Sequence, residues 1–132
     1  MRTIRIIPVL IATLGAMGCA SGIARKCTEQ KTVNHVVVVW LNDEFRNDAG
    51  VARLVAAHEV LREIPGLVSL SVGRVLPSDR AIVDSSFDVA SHFTFCSTAA
   101  MNAYLQHPVH QQFLREQTVG RVKKVVVYDF VE

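Results

Sequence analysis

The chain has 132 residues, enough for one domain and little more. Half of them are hydrophobic and 20% are charged, which excludes a disordered or low-complexity chain. Lys and Arg number 14 against 12 Asp and Glu, but Arg2 and Arg5 stand in residues 1–18 with no acid beside them, and from Val33 onward the balance is 9 basic to 11 acidic, which excludes a nucleic-acid partner for the folded part.

Residues 1–18 have the anatomy of an export signal. A short basic start precedes the uncharged run Ile6 to Met17, which is too short to span a bilayer as a helix. The small residues that follow, Gly15-Ala16-Met17-Gly18-Cys19, resemble a bacterial lipobox, in which the chain is cut before a cysteine that carries a lipid. The expectation is therefore a signal peptide over 1–18, lipidation of Cys19, and a protein held at the membrane of the cell envelope. Ala20, rather than Asp, after the cysteine favours the outer membrane in a Gram-negative cell. Residues 19–32 continue as a short polar tether without periodicity.

The folded domain is expected over 33–132. Asn34 to Leu41 is β-branched and aromatic and ends at Asn42-Asp43, so it reads as a strand. Asn47 or Asp48 can cap a helix running to about Glu63, with Val51, Leu54, Val55, Leu61 and Ile64 near helical spacing. Pro65-Gly66 stops it. Leu67 to Leu76 alternates as a second strand, and Pro77 to Ser86 is a polar connection. Phe87 to Cys96 alternates as a third strand with Phe87, Val89, Phe93 and Phe95 on one face. Ser97 or Thr98 can cap a helix over 99–105. His107-Pro108 interrupts it and opens a second helical piece that ends near Gly120. Arg121 to Val131 is the last strand.

This order, strand, helix, strand, strand, helix, strand, is the α+β ferredoxin-like (βαββαβ) pattern. Its helices cover one face of the sheet. Yet the first strand is apolar on both faces, Val36, Val38 and Trp40 against Val37, Val39 and Leu41, and the last strand behaves alike. A second apolar face needs a cover, and a second copy of the same sheet supplies it through a two-fold homodimer.

Five stretches in order carry a family resemblance: His35 to Val39 followed by Asn42-Asp43-Glu44; Ile64-Pro65-Gly66-Leu67; Val72-Gly73; Phe87-Asp88; and Tyr104-Leu105-Gln106-His107-Pro108-Val109-His110-Gln111-Gln112-Phe113. Together they resemble the stress-responsive α/β-barrel family, known as Dabb, over about 33–132. The resemblance implies a ferredoxin-like protomer whose sheet pairs with another into a dimeric α/β barrel. Most members have no established reaction. A polyketide-cyclase branch performs an intramolecular aldol-type condensation. There, the histidine matching His110 is the base, the tyrosine matching Tyr104 orients it, and the histidine matching His35 lines the pocket. The branch's strand-three histidine falls on Val89 in this sequence.

His110 lies in line with Phe113 and Leu114 and so faces inward, where a partly desolvated imidazole can serve as a general base. The structural alternative is a buried hydrogen-bonded pair of His110 and Tyr104. His107 reads as a turn or cap, His58 as a core residue, and His92 as a barrel lining or dimer contact. Cys27 and Cys96 read as a free tail thiol and a buried strand-end thiol, although an oxidising compartment permits a bond between them. No metal is expected, because Cys/His zinc spacings and HExxH are missing, and no cofactor is expected, because Gly73 lacks partner glycines. Function is thus left open between a non-catalytic envelope protein binding a small apolar ligand and a cofactor-independent, cyclase-like enzyme using His110. A monooxygenase-like use of the barrel rests on fold analogy alone.

Overall fold

The computed structural model describes Cys27 and residues 31–132. The expected signal peptide, Cys19 and most of the tether lie outside the described residues.

Four strands and three helices follow the expected order: β1 (Val33–Leu41), α1 (Asp48–Ala57), β2 (Leu67–Arg74), β3 (Val89–Phe95), α2 (Thr98–Gln106), α3 (Pro108–Gln117) and β4 (Val122–Val131). The sheet order is β2-β3-β1-β4, with every pair antiparallel. This is the ferredoxin-like arrangement.

Local chemistry sets the boundaries. Asn47 caps α1 by accepting from the Gly50 N–H, and Ser97 caps α2 by accepting from Ala100. Pro108 opens α3 at a position where its missing N–H costs nothing, and the His107 ring accepts from the Val109 N–H as a cap. Gly66 ends the first helical arm with φ +90°, a backbone that favours glycine. The expected long first helix is shorter than its periodicity indicates. It tightens at His58 into a 3-10 segment, His58–Glu63, that brings Leu61 and Ile64 fully into the core.

The core lies between the helices and one sheet face. Leu41, Leu70, Phe93 and Phe95 rise from the sheet to meet Leu54, Leu61, Tyr104 and Phe113. The opposite face of the sheet stays apolar and uncovered in the protomer. Val36, Val38 and Trp40 are half-buried there, beside exposed Tyr128 and Phe130. Among the described residues no helix is long and apolar enough to cross a membrane.

Two expectations need correction. Phe87 does not share the inward face of β3. The strand begins at Val89, because the buried Asp88 carboxylate turns away to accept from the Leu41 N–H and from Arg46. Phe87 instead packs edge-on against Trp40 of the outer face, ring centroids 6.4 Å apart. The two thiols are not free either. Cys27 and Cys96 are joined, across 69 residues of sequence. Val33 pairs with Phe95 at one end of the sheet, so the chain just before β1 and the residue just after β3 are neighbours.

Candidate functional site

Alternation along β1 turns His35 toward the helices together with Val33, Val37 and Val39. His35 is buried beside Phe93, ring centroids 5.6 Å apart. The β1–β4 register sets Asp129 directly opposite, and the His35 Nδ1–H donates to Asp129 Oδ1 at 2.6 Å. That leaves the His35 Nε2 as the ring's unprotonated edge in the neutral form. The side chain of Asp129 is 47% exposed, so the pair joins the interior to solvent.

α2 and α3 supply the other two groups. The break at His107-Pro108 frees the Leu105 carbonyl from helical pairing. The His110 Nδ1–H donates to it at 2.9 Å, and Gln111 donates to the same oxygen. A carbonyl only accepts, so this bond places the proton on Nδ1 and leaves Nε2 as an acceptor. Burial pushes the His110 pKa below its ordinary value. The Leu105 bond opposes that, and the nearby His35 adds to it. His110 is therefore a neutral imidazole at neutral pH.

Tyr104 is fully buried among Phe93, Phe95 and His110, with ring centroids 5.4, 5.1 and 4.8 Å away. Burial drives its pKa far upward and keeps the phenol protonated. Its hydroxyl has no hydrogen-bond partner among the described residues. The structural alternative, a hydrogen-bonded pair of Tyr104 and His110, is thus not formed; the rings lie tilted at 47° to each other instead. The fold does bring His35, Tyr104 and His110 into one cluster, walled by Phe93. Val89, where the cyclase branch has a histidine, is fully buried and contributes no polar group.

The cluster is closed. Three clefts among the described residues lie elsewhere. One of about 300 Å³ sits between Arg46, Arg74 and Asp88, and one of about 310 Å³ lies on the outer sheet face over Val36 and His92. One of about 240 Å³ sits between Val60 and Glu116. The side of β4 that faces the helices is its open flank, with Val127 and Val131 exposed on either side of Asp129.

The remaining histidines have structural partners. The buried His58 donates to the Leu54 carbonyl at 2.7 Å and packs edge-on against Phe113. His92 donates to Asn34 Oδ1 on the outer face. Groups of His, Cys, Asp and Glu able to hold a metal are absent among the described residues.

The family described as "Stress responsive A/B Barrel Domain", Dabb, matches residues 33–132. The chain belongs to this family. A Dabb protein with a ferredoxin-like fold from Mesorhizobium loti is 26% identical, with TM-score 0.62, covering 78% of this chain and 98% of that one. A dimeric ferredoxin-like protein of unknown function from Thermobifida fusca is 20% identical, with TM-score 0.63, over 77% and 92%. The hydroxynitrile lyase from Passiflora edulis is 20% identical, with TM-score 0.65, over 76% and 93%. No curated protein matches in sequence. Within this Dabb domain, Asp129 is the site residue that sequence reading missed. Its signal was an acid in the middle of the apolar run Val125 to Val131.

Proposed function

We propose that the protein is an exported, lipid-anchored homodimer that binds a small, largely apolar molecule bearing one hydrogen-bonding oxygen at the His35–Tyr104–His110 cluster. The observation that carries this reading is the Tyr104 hydroxyl, fully buried and unpartnered. Leaving such a donor without a partner costs about 1–3 kcal/mol, and a phenylalanine would fit the same aromatic wall without that cost. A ligand oxygen accepting from Tyr104 would give the hydroxyl its missing partner. The aromatic walls suit an apolar body; because the cluster is closed, the ligand makes its room by displacing side chains, and the partly exposed Asp129 is where the cluster comes nearest to solvent.

Three further observations support the rest. The apolar outer sheet face suits a second copy, and ferredoxin-like relatives of this fold are described as dimeric. The Cys27–Cys96 bond suits an oxidising compartment, hence export. The lipobox-like run ending at Cys19 supplies the anchor.

A second reading is favoured by one feature, the neutral His110 with Nε2 unprotonated. If the ligand is a carbonyl compound, Tyr104 donates to its oxygen while His110 takes a proton from the neighbouring carbon. His35, held by Asp129, is the polar wall. Titration with small aromatic ketones tests the shared core of both readings. Binding should raise the unfolding midpoint of the native protein and leave Tyr104→Phe unmoved. Equal stabilisation of the two proteins would overturn the assignment.

A further inference from the structure

The disulfide shortens the tether at the end of the domain where β1 begins. Cys96 follows Phe95, Phe95 pairs with Val33, and Val33 pairs with Val131. Thr32 and Glu132 exchange backbone hydrogen bonds at the same end. The bond to Cys27 therefore fastens the incoming chain to one end of the sheet. His35 and Asp129 sit two residues in from that end. Trp40 sits at the other, about 23 Å from Val33 along β1 at 3.3 Å per residue.

From Cys19 to Cys27 the chain reaches at most about 29 Å. That is less than the width of a domain of this size, roughly 30 Å. Without the bond, the tether would run on to Val33, nearly twice as far. Arg25, Lys26 and Lys31 against Glu29 leave the connecting sequence a net of two cations, which suits an anionic lipid surface. Val131 is an exposed apolar group on the helix-facing side at this end, next to Asp129 on the same face.

We infer that the Cys27–Cys96 bond turns the His35–Asp129 end of the domain toward the bilayer, so that the site draws its ligand from the lipid phase. This rests on the proposed lipidation of Cys19 and deepens the ligand assignment to molecules that partition into membranes. For both protomers of a dimer to comply, the two-fold axis must run along the strands.

The test uses the full-length lipidated protein in anionic vesicles doped with a dansyl-headgroup lipid, which accepts energy from nearby tryptophan. Trp40, the chain's one tryptophan, reports the far end. Val131→Trp combined with Trp40→Phe reports the near end, at an exposed position. The near reporter should transfer strongly and the far one weakly, and the contrast should shrink in Cys27→Ser/Cys96→Ser, whose tether is nearly twice as long; an unchanged contrast would take the disulfide out of the account. Equal transfer from both, or stronger transfer from Trp40, in vesicle-bound protein would overturn the orientation while leaving the anchor intact. Failure of the protein to float with vesicles would overturn the lipidation and, with it, this inference.

Discussion

Breaking the Cys27–Cys96 bond should cost less than its sequence separation suggests. The cross-link closes 69 residues, and loop-closure entropy alone then gives roughly 4 kcal/mol. That figure assumes the two cysteines are unrestrained when the bond is absent. In the folded protein they are not, because β1 and β3 already hold Val33 beside Phe95. In the native state the bond closes a ring of only about eight residues, from Cys27 to Val33 and across to Cys96. The net effect is the difference between closing 69 residues in the unfolded chain and about eight in the folded one. With a cost of (3/2)RT ln n, this is about 2 kcal/mol. For a domain of this size the unfolding midpoint should fall by about 10 °C. The assay is calorimetry on the soluble chain from Ala20, native against Cys96→Ser, with thiol titration to confirm the bond. An unchanged midpoint would refute the closure argument. A fall near twice that expected would show that residues before Val33 make stabilising contacts of their own.

Other consequences are open to simpler tests. His58 and His110 are both held below 6.5, chiefly by burial, so on acidification the unfolded chain takes up protons before the folded one does. Their stabilisation is complete above pH 6.5 and is lost as pH falls below it; the urea midpoint should drop between pH 7.5 and pH 5, and an unchanged or higher midpoint at pH 5 would contradict this. Val38→Glu places a charge at the centre of the outer sheet face and should yield monomers in light scattering, while a persisting dimer would place the interface elsewhere. A Cβ on Gly50 would stand 2.0 Å from the Phe45 carbonyl oxygen, so Gly50→Ala should cost at least about 1–3 kcal/mol by overpacking, and a neutral result would show that the α1 entry yields freely.

What was legible in the sequence is what local chemistry determines. The Asn47 and Ser97 caps, the Pro65-Gly66 stop, and the Pro108 restart each act within a few residues, and the structure shows them doing so. His35, Tyr104 and His110 could be singled out by strand alternation, helix spacing and family resemblance. Less legible was whatever depends on register between distant elements. Asp129 becomes a site residue only when β4 pairs with β1 so that it faces His35. The disulfide becomes plain only when Val33 is set beside Phe95. Phe87 was misplaced because alternation was carried through Asp88, whose carboxylate leaves the strand pattern to hold the end of β1. The solitary Tyr104 hydroxyl depends on how α2 and α3 cross, and no pattern in the sequence announces it.

The central claim is that the Tyr104 hydroxyl serves a ligand rather than the fold. Thermal unfolding of Tyr104→Phe against the native protein, both without ligand, tests it most directly. Removing an unpartnered buried hydroxyl should raise stability by about 1–3 kcal/mol, a midpoint higher by at least several degrees. A loss of about 1–3 kcal/mol would mean the hydroxyl makes a stabilising bond in the folded protein, and the assignment of the cluster as a ligand site would fall with it.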